Sequence, residues 1–200
     1  TTTNATDDGV VEVARQEGVE WFRGSETDVL SRFAGAARQA QAGIVVRVTG
    51  DCPLIDPQVT DRVIQDLSEH AATCDYAANI LPRTYPQGLD VEAFFGDVLQ
   101  RVDRMAQSPT AREHVTTFIY SEQPELFRRR NVADSQDNSD LRWTVDTAAD
   151  LQAVRIIYEA LDLGARVAPF PEILAYFRAH PEVAALNAGE KTWQPVTKVS

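Results

Sequence analysis

The chain has 200 residues, 44% of them hydrophobic, and a formal net charge of −11 from 19 basic and 30 acidic side chains. That length and apolar content suit one sizeable core, and the acidic balance excludes a nucleic-acid backbone or an anionic membrane surface as partner. Two cysteines, Cys52 and Cys74, without a CxxC pair give neither a disulfide framework nor a zinc site, and no apolar run is long enough for a membrane anchor, so a reducing cytoplasm is expected.

Val10, Val11, Val13 and Ala14 form a helical stripe that Gly18 ends, and residues 19–22 then read as a short strand. Ser25 and Asp28 have capping-box spacing for a helix carrying Leu30, Phe33, Ala34 and Ala37. Residues 44–48, rich in β-branched side chains, read as a buried parallel strand ending at Thr49-Gly50-Asp51. Asp56 and Pro57 are the N-cap and first-turn residues of a helix with Val59, Val63, Ile64 and Leu67 on one face. Strands are predicted over 75–80, 89–94 and 127–132, and helices over 97–106 and 110–121. Residues 141–145 lead into a helix carrying Leu151, Val154, Ile157, Tyr158 and Leu161, and a last helix covers 173–180. The alternation predicts one α/β domain over 1–186 with right-handed crossovers, followed by a surface tail over 187–200.

Ligands of open α/β sheets gather at the carboxyl ends of strands, which singles out Asp51 and Asp146. One or two carboxylates with water and phosphates suffice for magnesium. Ordinary capping is the alternative: Asp51 starting a turn, and Thr147 with Asp150 forming a capping box beside Asp146. Arg23-Gly24-Ser25 at a strand-to-helix junction can receive a phosphate or base edge, or be a plain capped turn. Residues 83–92 place a cation, a phenol and two carboxylates around Gly88, as a substrate wall or a solvated loop. His114 lies in an amphipathic helix, where surface placement is the simpler reading. P-loop, dinucleotide-binding, α/β-hydrolase and HExxH metalloprotease motifs are all missing.

In order along the chain, Phe22-Arg23-Gly24-Ser25, the run Val46 to Pro57 (Val-Arg-Val-Thr-Gly-Asp-Cys-Pro-Leu-Ile-Asp-Pro), Asn79, Tyr85-Pro86-Gln87-Gly88-Leu89-Asp90-Val91-Glu92, Arg112-Glu113-His114-Val115-Thr116 and Asp140 to Thr147 (Asp-Leu-Arg-Trp-Thr-Val-Asp-Thr) resemble the cytidylyltransferases of the spore-coat polysaccharide protein F type. The resemblance implies a glycosyltransferase-A-like nucleotidyltransferase sandwich with a mixed, mostly parallel sheet, related to the enzymes that activate acylneuraminate and 3-deoxy-manno-octulosonate (KDO). It implies CMP transfer from CTP to a sugar or related hydroxy or acid acceptor, with pyrophosphate released, in surface-polysaccharide or secondary-metabolite synthesis. Asp51 and Asp146 would hold Mg2+ as catalytic residues. Arg23, Gly24, Ser25, Thr49 and Gly50 would lie near the nucleotide, and Asn79, Tyr85, Gly88, Asp90, Glu92 and His114 near the acceptor. A homodimer is implied too, with apolar residues among 115–120 as its surface.

Family members open with a strand and a loop resembling Gln-Ala-Arg-x-x-Ser-x-Arg-Leu-Pro-x-Lys that holds the triphosphate, and nothing in this sequence matches it. Thr1-Thr2-Thr3-Asn4 resembles the end of the family's second strand. Every basic residue before Lys191 is arginine, so no core lysine replaces the loop's. The chain is therefore expected to be the larger C-terminal part of an enzyme, impaired on its own. The alternative is a non-catalytic nucleotide-binding or oligomerisation module derived from that fold.

Overall fold

The structure, a computed structural model, describes residues 1–190. Helix α1 spans Asp8–Gln16 and gives way to Gly18, whose φ of +68° glycine adopts without strain. Helix α2 spans Val29–Gln39 and starts on Asp28, whose carboxylate accepts from Ser31 N at 2.9 Å. Ser25, expected to be the cap, instead accepts the Asp28 amide at 3.1 Å and closes the preceding turn. Asp28 wins because Arg112 grips both its oxygens, at 2.9 and 2.6 Å, and because a carboxylate is stabilised at a helix N-terminus.

Strand β1 is Ile44–Arg47 and helix α3 is Pro57–Glu69. Asp56 caps α3 as expected, accepting from Val59 N at 2.8 Å; its other oxygen accepts from Phe170 N at 2.6 Å. There follow β2 (Tyr76–Ala78), β3 (Glu92–Phe95), α4 (Gly96–Met105), α5 (Pro109–His114), β4 (Arg129–Asn131), α6 (Ala148–Ala160), α7 (Phe170–Ala179) and α8 (Pro181–Ala185). The sheet order is β1-β3-β2-β4, with β4 parallel to β2. This is the expected α/β fold with an open, mixed sheet.

The departures follow from the partners available. Residues 19–22 form no strand; beside them the backbone makes one parallel bridge, Thr2 to Gly24, and Val19 and Trp21 stay exposed. β1 is only half-buried along its length, because it ends the strand order and has a neighbour on one side. The helix expected over 110–121 breaks at Val115, whose φ of 61° is costly for a β-branched residue, and resumes as a π-helical turn, Phe118–Glu122. Residues 141–145 join no named strand; Arg142 makes a parallel bridge to Gln87.

Two compact units result. The first holds residues 1–45 and 94–128, with Leu30, Ala34, Leu99, Val102, Ala111 and Ile119 in its core. Val115, Phe118 and Ile119 are buried in that core, as an amphipathic helix there implies, and so offer no dimer surface; Phe118 packs edge-on against Phe127 at 6.0 Å. The second holds residues 46–93 and 129–190, organised around fully buried Trp143, which stacks on Phe177 at 5.1 Å and tilts against Phe170 at 5.9 Å. Each such side chain contributes roughly 1.5–3 kcal/mol by leaving water. Asn187, read as the first tail residue, is 2% exposed in this second core. The rest of the expected tail, residues 191–200 with both lysines, lies outside the described residues. No helix among the described residues is long and apolar enough to cross a membrane.

Candidate functional site

In the second unit the chain leaves β1 through Val48, Thr49 and Gly50 to Asp51. Asp51 O accepts from Val145 N at 2.8 Å, and Thr144 Oγ1 donates to Asp51 Oδ2 at 3.1 Å. Asp51 is thus tied to the residue preceding Asp146, so two aspartates remote in sequence become neighbours. Burial pushes the Asp51 carboxyl towards the neutral form, but hydrogen bonds from Thr49, its own amide, Thr144 and Cys52 outweigh that and hold its pKa below the usual value. Cys52 lies in the same turn, 3.1 Å from Thr49 Oγ1; burial, then the charges of Asp51 and Asp90, push its thiol up to about 11, so it is a packed, unreactive group.

Asp146, with 52% of its side chain exposed, accepts from Arg142 Nη2 at 2.6 Å through Oδ2. Arg142 is buried, and its Nε and Nη2 donate to Asp150 Oδ1 and Oδ2 at 2.8 and 2.9 Å. Asp150 also accepts the amides of Asp146 and Thr147, both at 3.0 Å, and closes a capping box with Thr147 at the start of α6. Capping therefore belongs to Thr147 and Asp150, with Asp146 beside it. Burial opposes ionisation of Asp150, but Arg142, the two amides and Asn187 prevail and hold its pKa far below the ordinary range. A depressed folded pKa gives stability that is complete above the unfolded value of about 3.9 and is lost as pH falls below it. Urea midpoints should stay level from neutrality to about pH 5 and drop below about pH 4, with Asp150→Asn flattening the drop. An equally steep acid loss in that variant would remove Asp150 from the account.

The loop before β3 packs against residues 141–145: Gln87 N donates to Leu141 O at 2.9 Å, and Trp143 N to Gln87 O at 2.6 Å. Gly88, at φ +103°, has no room for a side chain there. Asp90 is partly exposed and held bidentately by Arg83 at 2.5 and 2.7 Å. Asn79, Tyr85 and Glu92, expected near the acceptor, are all interior. The Asn79 amide joins Leu89 O at 2.6 Å and Val91 N at 2.9 Å, acting as a ladder segment. The Tyr85 hydroxyl accepts from Arg62, and its ring packs on Phe170 at 5.5 Å. Glu92 accepts from Tyr76 Oη at 2.5 Å and pairs with Arg47. With exposures of 0, 0 and 1%, these three frame the loop that presents Asp90.

Arg23, Gly24, Ser25 and His114 belong to the first unit. Arg23 donates to Thr2 O, Asn4 O and Asp8 Oδ1, each at 2.7 Å, and so fastens the N-terminal turn. A Cβ on Gly24 would lie 2.9 Å from the Arg32 side chain, and Ser25 O accepts from that same Arg32. His114 is half-buried as the last residue of α5.

The sequence did not mark Thr144 or Arg142 as site residues, and it offered Arg83 only as the cation of a possible wall over residues 83–92. Each lies inside a motif that was read, but their partners depend on tertiary pairing that spacing does not encode.

Among the described residues no three or more His, Cys, Asp or Glu side chains converge on one point. The donors present still fit magnesium: two hard carboxylates on segments joined by the Val145-to-Asp51 backbone bond, with Thr144 donating to Asp51 and Arg142 donating to Oδ2 of Asp146. Such an ion keeps several waters and completes its shell with substrate phosphates.

The fold is an open α/β sheet with the polar turn Thr49-Gly50-Asp51 just beyond strand β1, the place where ligands of such sheets gather. The family model described as cytidylyltransferase matches residues 1–162, and the chain belongs to that family. Its fold is similar to that of a cytidylyltransferase from Leptospira borgpetersenii serovar Hardjo-bovis, with TM-score 0.85 and 26% identity over 97% of this chain and 79% of that one. The structure of CMP:2-keto-3-deoxy-manno-octonic acid synthetase complexed with CTP shares the fold at TM-score 0.50 and 20% identity, over 77% of this chain and 78% of that one. An uncharacterized protein of Methanocaldococcus jannaschii is 30% identical over 98% of this chain and 79% of its own length. The spore coat polysaccharide biosynthesis protein SpsF of Bacillus subtilis is 28% identical over 80% of this chain; the chain spans 65% of SpsF.

Proposed function

We propose that the protein transfers CMP from CTP to a hydroxyl or acid oxygen of a sugar-like acceptor in surface-polysaccharide or secondary-metabolite synthesis. The acceptor oxygen bonds to the α-phosphorus, the bond to the β-phosphate oxygen breaks, pyrophosphate leaves, and a proton from an acceptor hydroxyl passes to solvent. The observation that carries this reading is the pairing of Asp51 with the Val145-Asp146 segment, stiffened by Thr144 and Arg142. Carboxylates on these joined segments would repel a triphosphate unless a divalent cation offset their charge. Bound there, Mg2+ would neutralise and align the phosphates, which is most of what such a transfer requires.

Thr49 orients Asp51, and Gly50 leaves the backbone bare where a phosphate or ribose approaches; a Cβ on Gly50 would meet nothing within 4 Å, so packing does not demand glycine. The Asp90–Arg83 pair offers the acceptor its polar wall. Arg23, Gly24 and Ser25 take no part in this reading, since the Arg23 side chain, both Gly24 backbone groups and the Ser25 carbonyl are engaged within the first unit. Without a counterpart of the family's triphosphate loop among these residues, the 200-residue chain alone should turn over slowly, since losing one such donor costs about 10²-fold. The cytoplasm, where CTP and free thiols coexist, is the setting; a homodimer rests on family resemblance only.

The test is Mg2+-dependent pyrophosphate release from CTP by the full protein with neutral and acidic sugars. Failure with every nucleoside triphosphate would overturn the reading. Metal-independent CTP binding without turnover would favour the non-catalytic module.

A further inference from the structure

The cytidylyltransferase match ends at residue 162, yet a side chain well beyond it reaches the centre of the second unit. Asn187 follows the short helix α8 and is 2% exposed. Its Nδ2 donates to Asp150 Oδ1 at 2.7 Å and to the backbone oxygen of Arg142 at 3.1 Å. Asp150 grips Arg142 with both carboxylate oxygens, and the same Nη2 that meets Asp150 reaches Asp146 Oδ2.

We propose that Asn187, Asp150 and Arg142 form a positioning relay that sets the carboxylate of Asp146, so that the C-terminal segment governs the metal site. The inference rests on the magnesium reading of Asp146. The geometry favours a relay over a simple brace. Capping α6 needs only Thr147 and the Asp150 carboxylate, whereas the Asn187 amide bridges Asp150 and the main chain of Arg142. It thereby fixes the guanidinium at both its root and its tip. Arg142, so held, meets Asp146 at Oδ2 and sets the orientation of that carboxylate. Groups in this outer position orient ligands, and their loss weakens metal binding by about 10–100-fold.

Mn2+ serves as the probe, titrated alone into the full protein and read by the electron paramagnetic resonance of the free ion, without any turnover. Asn187→Ala should weaken Mn2+ binding by about 10-fold. Arg142→Lys, which keeps the charge but cannot span Asp150 and Asp146 together, should do at least as much. Val183→Ala, in α8 and buried in the same core, controls for general loosening: its thermal midpoint should fall while Mn2+ affinity holds. Equal losses of affinity in Val183→Ala and Asn187→Ala at matched stability would overturn the relay, as would an unchanged affinity in Asn187→Ala when Asp146→Asn binds poorly. If Asp146→Asn binds as well as the parent, or the parent shows no saturable binding, the metal reading falls and takes the relay with it. Pyrophosphate release by the same parent reports separately on the transfer itself.

Discussion

Asp51→Ala and Asp146→Ala should each lower Mg2+-dependent pyrophosphate release by about 10³-fold or more, the several kcal/mol that a Lewis-acid metal supplies to a developing phosphoryl charge. Stability should move little. Asp146 is half exposed, and Arg142 keeps its bidentate partner Asp150 when Asp146 is gone. Asp51 keeps its backbone bond to Val145 whatever its side chain. A side chain that merely caps a helix behaves in the opposite way, and this chain carries the comparison within one turn. Thr147→Ala removes the Oγ1 acceptor for the Asp150 amide and should cost about 1 kcal/mol of stability while leaving turnover within a few-fold. Urea midpoints beside CTP turnover for the three variants separate the roles. Near-parental activity in Asp51→Ala or Asp146→Ala would remove that residue from the metal site.

What could be read in the sequence, and what could not, divides along the range of the interactions. Asp56 before Pro57, and Thr147 three residues before Asp150, were legible because capping is settled within one helical turn. The second duty of Asp56, accepting the distant Phe170 amide, was not. Ser25 was mistaken for a cap because Asp28 gains its advantage from Arg112, which no local pattern connects to it. The same holds at the candidate site. Asp51 and Asp146 stood out as acids following β-rich runs, but Arg142 lies four residues before Asp146 in a segment that is not helical, so its i,i+4 spacing carries no signal. Tyr85 and Glu92 fell in residues 83–92, which offered a polar wall because polar side chains in a loop suggest solvent, and the resemblance placed Asn79 near the acceptor. Each is instead buried and finds a protein partner, in Arg62, in the backbone of residues 89 and 91, and in Tyr76 with Arg47.

Two glycines turn this reasoning into a measurement, because the structure assigns them opposite reasons for being glycine. Gly88 sits at φ +103°, and a Cβ there would lie 2.6 Å from Thr144 N and from Trp143 C, both main-chain atoms that cannot rotate away. Gly88→Ala must therefore strain its own backbone, at about 1–3 kcal/mol, and also push the loop off residues 143–144; a total loss of roughly 3 kcal/mol or more is expected. The displacement falls on the Gln87 pairing and on Thr144, which holds Asp51, so turnover should collapse along with stability. Gly50 has a φ that any residue can adopt and open space where its Cβ would be. Gly50→Ala should leave the urea midpoint within about 0.5 kcal/mol of the parent, as surface changes usually do, yet raise the KM for CTP because the added methyl meets the incoming nucleotide. A destabilised Gly50→Ala, or one that binds CTP as the parent does, would show that the turn after β1 lies away from the nucleotide. A stable and active Gly88→Ala would show that the loop bearing Asp90 is free to move off residues 143–144.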